Sequence, residues 1–301
     1  MSLNEGSTTA YRAFGLMIDS DFDLPLPERT VTKSNIDVSV ARGIVDIDDP
    51  RGNCVRFDGV AAVQVVDESA LIVDPAQGLD SNLKPFLLHN CLGWVLHRRG
   101  KAIFHASAAN VDGICVAFLG RSGVGKSSTV AAMYDRGFPI VSGDVLAVDQ
   151  SGNVHSAVPS FPRLRIPSDT LSAMNKPHQP GSAAEPTSSS EWLDVSDGFS
   201  HEALPIRTIY ILEEPCGVDS PAVRSSELNG RRQVKHLFRH SLHYSVLRES
   251  DTVERHFRQC TQLAGNVSFK YLSRPDELEA INKVVDAVVS DAQRSCTELG
   301  L

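Results

Sequence analysis

No apolar run in this 301-residue chain approaches the roughly 20 residues that a helix needs to cross a bilayer, so no helical membrane span is expected. The first residues, Met-Ser-Leu-Asn-Glu-Gly-Ser, carry neither the basic start nor the apolar stretch of a secretory signal. Cys54, Cys91, Cys115, Cys216, Cys260 and Cys296 lie far apart and form no C-x-x-C pair, which indicates neither a zinc knuckle nor a disulfide framework. Positive charge is in deficit, with 29 Lys and Arg against 37 Asp and Glu and a net charge of -8. That balance argues against a protein that chiefly holds a nucleic acid polymer or an anionic membrane. These absences lead to the expectation of a cytoplasmic protein in a reducing compartment. What is present is a 42% hydrophobic composition, over a length that suits one large or two modest domains.

From Tyr11 to Asp74 the sequence shows short alternating or apolar runs broken by Asp, Gly and Pro, such as Ile36 to Val40, Val60 to Val66 and Ala70 to Val73. This is the pattern of a small β-rich lobe. Between Ser81 and Arg99 the positions Leu83, Phe86, Leu87, Cys91, Leu92, Trp94, Val95 and Leu96 recur at helical spacing, predicting a largely buried linking helix. The expected division is therefore a β-rich lobe with its helix over 1–100 and an α/β domain over 101–301.

In the second part, Ala102 to Val111 and Ile114 to Leu119 read as apolar strands joined by a tight turn at Asp112-Gly113. A glycine-rich loop follows, then a helix over Ser127 to Arg136 with Gly137 placed to stop it, and a strand from Phe138 to Val141. Val145 to Val148 and Val154 to Val158 flank a turn-forming Asp149 to Asn153. The stretch Lys176 to Ser200 is dense in Pro, Ser, Gly and Ala and reads as a flexible insertion. Beyond it, a strand is expected over Thr208 to Leu212, helices over Gly230 to Leu247 and Asp251 to Ala264, a strand over Val267 to Leu272, and a last helix from Pro275 to Ala292.

Gly120-Arg-Ser-Gly-Val-Gly-Lys-Ser127 fits G-x-x-x-x-G-K-[ST] at every fixed position, between an apolar strand and a helix. Glycines at 120, 123 and 125 allow a tight turn whose N–H groups point at phosphate oxygens, and the helix adds its positive N-terminal end. In such a loop Gly120, Arg121, Ser122, Gly123, Val124, Gly125, Lys126, Ser127 and Ser128 are the nucleotide-binding candidates. Lys126 reaches the outer phosphates of ATP and the Ser127 hydroxyl coordinates Mg²⁺. Asp144, at the end of the following strand, is the second Mg²⁺ candidate; Asp149 competes with it but sits in turn context. His105, in the strand before the loop, is either a base near the nucleotide or a hydrogen-bonded core residue. Arg163 and Arg165 project from the same side of an extended segment, either toward a substrate anion or into solvent. Arg231, Arg232, Lys235 and Arg239 form a basic helix face of the kind that is ordinarily a wet surface. His236 and His240 are four apart, without a third metal ligand in view.

The run His105-Ala-Ser-Ala-Ala-Asn-Val-Asp-Gly, then Val116 to Ser127, then Gly137-Phe-Pro-Ile-Val-Ser-Gly-Asp-Val-Leu, resembles the catalytic domain of HPr kinase/phosphorylase. It is more similar still to the HPr-kinase-like proteins associated with lasso-peptide biosynthesis, through Tyr11 to Gly15, Pro162 to Arg165 and Pro205 to Leu212. The resemblance implies an HPr-kinase-like P-loop α/β domain behind a small β-rich N-terminal lobe, and transfer of the ATP γ-phosphoryl group to a serine. In the lasso-associated relatives that serine is the C-terminal residue of a precursor peptide. By position it implies nucleotide binding over Gly120 to Ser127, Mg²⁺ at Ser127 and Asp144, and His105 beside the reacting phosphate. One departure stands out: the family has two consecutive aspartates where this chain has Gly143-Asp144, so the carboxylate that the resemblance implies as catalytic base is missing. The expectation is an ATP- and Mg²⁺-dependent kinase with Lys126, Asp144 and His105 as its catalytic groups. A nucleotide-binding regulatory module of little or no activity, a small-molecule kinase and a homo-oligomer stay open.

Overall fold

The computed structural model describes residues 7–48, 54–76, 80–174, 190–214, 222–242, 252–275 and 280–297. The chain divides into two units, one taking in the residues up to Lys101, the other running from Ala102 to Leu242 and again from Val253 onward. The first is built on a seven-stranded sheet of β1 (Ser7–Ala13), β2 (Leu16–Ser20), β3 (Glu28–Thr32), β4 (Val38–Arg42), β5 (Cys54–Phe57), β6 (Ala61–Val65) and β7 (Ala70–Pro75), in the order β3-β1-β2-β4-β7-β6-β5. Its strands alternate as a sheet with one covered face must: Val38 and Val40 of β4 are buried while Ser39 and Ala41 are only partly so. Helical residues follow as α1 (Asp80–Phe86), a π-helical stretch (Leu87–Cys91) and α2 (Leu92–Arg98). The apolar stripe that predicted them is buried at Leu83, Phe86, Leu87, Cys91, Leu92, Trp94, Val95 and Leu96.

The second unit holds an eight-stranded mixed sheet of β8 (Ala102–Val111), β9 (Ile114–Leu119), β10 (Ile140–Ser142), β11 (Val145–Asp149), β12 (Ser156–Val158), β15 (Leu204–Leu212), β16 (Arg224–Glu227) and β17 (Ser268–Ser273). A separate two-stranded ribbon is formed by β13 (Arg163–Pro167) and β14 (Ser190–Asp194). Strand β9 lies between β8, antiparallel, and β15, parallel. Helices cover both faces: α3 (Lys126–Asp135) and α7 (Ile281–Thr297) on one, α5 (Arg231–Arg239) and α6 (Thr252–Asn266) on the other, while the short α4 (Ser168–Ser172) follows β13. Alternate residues of β9 serve the two cores. Ile114, Val116 and Phe118 pack with Val130, Met133 and Val285, and Cys115, Ala117 and Leu119 with Leu237, Cys260 and Leu263. Each large apolar side chain so buried stabilises by about 1.5–3 kcal/mol, which fixes the strand whose end launches the glycine loop.

Local chemistry explains the joints. Asp112 and Gly113 both have positive φ, 51° and 86°, the two-residue turn whose twist matches its flanking strands. Gly137 adopts φ 89° and its N–H donates to the Tyr134 carbonyl at 2.9 Å, ending α3. The expected flexible insertion over 176–200 needs correction at its end. Residues 175–189 lie outside the described residues, whereas Ser190–Asp194 pair with β13 from Arg163↔Asp194 to Pro167↔Ser190. Leu193 and Val195 enter the core beside Leu164 and Ile166, a burial that a Ser- and Pro-rich composition conceals. The helix expected to reach Leu247 ends at Arg239, and residues 243–251 lie outside the described set. Among the described residues, Cys91, Cys115 and Cys260 are free thiols. No helix among the described residues is long and apolar enough to cross a membrane.

Candidate functional site

The glycine loop leaves the C-terminal end of β9 and runs into α3, and its glycines answer separate demands. Gly123 and Gly125 have φ 82° and 94°, conformations that cost a residue with a Cβ about 1–2 kcal/mol. At Gly120 the demand is space: a Cβ there would lie 2.7 Å from Val124 Cγ1 and 3.0 Å from the Leu212 carbonyl oxygen on β15. A Cβ on Gly125 would collide with the guanidinium of Arg274, whose Nη2 donates to the Val124 carbonyl at 2.9 Å. Thr129 secures the start of α3 by donating its N–H and its hydroxyl to the Gly125 carbonyl at 2.9 and 2.8 Å. The first N–H groups of a helix have no intrahelical acceptor and its dipole is positive there, so this corner attracts an anion.

Lys126 is 5% exposed and donates from Nζ to the carbonyls of Gly120 and Arg121, each at 3.0 Å. Burial lowers its pKa, and the Asp144 carboxylate opposes that shift. The ammonium is thus held over the loop within the field of Asp144. Ser127 is half-buried in the first turn of α3. Ser128 shares a 3.0 Å hydrogen bond with the Thr170 hydroxyl of α4. Arg121 and Ser122 are exposed, and the Arg121–Glu214 contact of 3.5 Å is too solvated to be worth much.

Asp144 sits between β10 and β11, and antiparallel pairing of β11 with β8 sets Val145 opposite His105. Asp144 Oδ1 meets His105 Nδ1 at 3.0 Å, with both side chains about one-third exposed. The carboxylate thereby fixes the imidazole plane and leaves Nε2 as the ring's second nitrogen. The backbone of His105 is tied as well, its N–H donating to the His240 carbonyl at 2.7 Å. Asp149, the alternative acid, accepts from the Ser151 N–H at 3.0 Å in a turn.

Gly143 has a steric reason. A Cβ there would stand 2.9 Å from both the Arg163 carbonyl oxygen and Leu164 Cδ2, and Leu164 is fully buried. The ribbon strand β13 fills the space that an aspartate side chain would enter. Along that strand Arg163 is ion-paired with Asp194 at 3.1 Å, while Arg165 is exposed. The fold therefore gathers the 120–128 loop, His105 and Asp144, and brings β13 to them through its backbone at Gly143.

Two cavities flank the loop, and both fall in the size range of small-ligand sites. One of about 520 Å³ is lined by His105, Gly120, Arg121, Ser122, Arg239, His240 and Ser241. The other, of about 420 Å³, shares Gly120, Arg121, Arg239 and His240 and extends past Glu213, Glu214, Arg232, Lys235 and Tyr271. His236 and His240 stack at 6.3 Å between ring centroids, and His236 Nε2 meets the Tyr271 hydroxyl at 3.0 Å. His240 is buried, and burial first, then the charges of Lys126, His236, His105 and Arg239, lower its pKa to about 4. Arg274 and the cavity-facing side of α5 gave no sign of a site in the sequence; only the spatial neighbours of Gly125 and Arg121 expose them.

No family model and no curated protein matches the chain. Among solved structures, an HPr(Ser) kinase/phosphatase from Coxiella burnetii aligns over 65% of this chain and 98% of its own, at 14% identity and a TM-score of 0.33. The likeness is distant.

Proposed function

We propose that this chain is an ATP- and Mg²⁺-dependent kinase that holds the triphosphate on the 120–128 loop and transfers the γ-phosphoryl group to a serine, with a peptide of the lasso-precursor type as acceptor. The observation that carries this reading is the convergence of a strand–glycine loop–helix cradle, the Lys126 ammonium and the His105–Asp144 pair at one end of a single sheet.

Lys126 moves from the loop carbonyls to the β- and γ-phosphate oxygens, a transfer favoured by exchanging neutral acceptors for anionic ones. The N–H groups of Gly123 to Ser128 complete the cradle. Ser127 and Asp144 would supply the hard oxygen donors suited to Mg²⁺. Bound there, Mg²⁺ neutralises charge on the phosphoryl oxygens. His105, oriented through Nδ1, takes the acceptor hydroxyl's proton at Nε2, a part that Gly143 leaves without a carboxylate. Arg163, ion-paired with Asp194, and the exposed Arg165 are the β13 candidates for contact with substrate.

Gly143 also supports a second reading, a nucleotide-binding regulatory module. There the missing base is a loss and not a substitution. Mass spectrometry of candidate precursor peptides incubated with protein, ATP and Mg²⁺, beside Lys126→Ala, separates the readings. A phosphate-sized mass gain that requires Lys126 supports the kinase. Saturable MgATP binding with no product on any peptide supports the regulatory module, and product formed only on metabolites supports a small-molecule kinase.

A further inference from the structure

Helix α5 buries Gln233 and Leu237 and turns Arg232, Lys235 and Arg239 outward. Their spacing of three and four places them in one stripe. That stripe is not simply a wet surface, because all three side chains line the cavity walled on its other side by Gly120 and Arg121. Arg239 also lines the cavity that contains His105. Four cations, Arg121, Arg232, Lys235 and Arg239, face two carboxylates, Glu213 and Glu214, and Arg121 already pairs with Glu214 at 3.5 Å. In a chain of net charge -8 this is a local excess of the opposite sign, which draws an anion to the site.

The length of the stripe selects among anions. Arg232 and Arg239 are seven residues apart, about 10 Å along a helix axis. An extended chain advances about 3.3 Å per residue, so about three residues cover the distance and meet the three cations in turn. The polarity is also set, since Arg239 is the end beside His105 and Arg232 the end away from it. We propose that the Arg232–Lys235–Arg239 row of α5 binds an acidic stretch of the peptide acceptor, laying it along the helix so that a hydroxyl beyond Arg239 arrives at His105. The proposal rests on the kinase reading for the identity of the hydroxyl's destination, but the binding itself needs no nucleotide.

The test compares wild type with Arg232→Glu/Lys235→Glu in the full chain. Fluorescence anisotropy without nucleotide measures binding of a serine peptide flanked by glutamates and of its glutamine-flanked counterpart. Wild type is expected to prefer the glutamate peptide by about tenfold or more at low salt, with the preference shrinking as salt rises and vanishing in the variant. Thermal melts of both proteins followed by circular dichroism serve as the control for folding and are expected to coincide, and MgATP titration of wild type tests the kinase reading separately. A wild type indifferent to the two peptides, or a variant that melts with wild type and keeps the preference, overturns the proposal. Failure of wild type to bind MgATP overturns the kinase reading instead, and the peptide preference still decides the role of α5.

Discussion

Gly143→Ala should destabilise the second unit although the substitution adds one methyl group. The new Cβ would lie 2.9 Å from the Arg163 carbonyl oxygen and 2.9 Å from Leu164 Cδ2. Neither neighbour can yield freely: Arg163 is paired in the β13–β14 ribbon, and Leu164 is fully buried between elements of the core. Overpacking of this kind costs about 1–3 kcal/mol. For a unit of this size each kcal/mol lowers the melting temperature by about 2–4 °C, so a drop of about 2–12 °C is expected. Gly143→Asp should cost at least as much, because it places the same Cβ and adds a carboxylate beyond it. Gly152→Ala is the control, since a Cβ there meets nothing within 4 Å. Thermal melts followed by circular dichroism measure all three. If Gly143→Ala melts with wild type and Gly152→Ala, β13 does not occupy that space and the steric account of the missing aspartate is wrong.

Acid should destabilise the protein through two histidines. Burial first holds His256 and His240 at a pKa of about 4, below the usual 6.5, so both are neutral in the fold and the unfolded chain binds more protons. Their contribution is complete above pH 6.5 and is lost as pH falls toward 4, on the order of 3 kcal/mol each; urea midpoints at pH 7, 5.5 and 4.5 that coincide would contradict this. Asp291 accepts from the Tyr210 hydroxyl at 2.6 Å and from Lys270 Nζ at 2.7 Å, so Asp291→Ala strands the Tyr210 hydroxyl, leaves Lys270 with Glu227 at 3.4 Å, and should cost about 1–3 kcal/mol in chemical denaturation, with Asp291→Asn milder. Gly125→Ala combines φ 94° with a collision against Arg274 and should weaken MgATP by about tenfold; calorimetry showing an unchanged affinity would remove Arg274 from any role in shaping the loop.

The glycine loop, the Asp112-Gly113 turn and the Gly137 stop were legible because each is a local requirement written in adjacent residues. The alternating cores of β9 were legible for the same reason, its burial following directly from an unbroken apolar run. Non-local facts were not. Strand β14 carries little more than Trp192 and Leu193 in a polar stretch, and its partner lies across a segment that composition marks as loop. The basic side of α5 resembles any solvated helix until its approach to Arg121, more than a hundred residues earlier, is known. Gly143 illustrates the limit most sharply. Against the resemblance it reads as an absent base, and only the backbone of β13 shows why no larger residue stands there.

The central claim is that Lys126 and its loop grip a triphosphate. Isothermal titration of MgATP into the full chain and into Lys126→Ala tests it most directly. Loss of a charged, hydrogen-bonded partner costs about 2–5 kcal/mol, so wild type should bind saturably and the variant about thirtyfold to several thousandfold more weakly. Equal affinities, or a wild type that binds no nucleotide, would contradict the account.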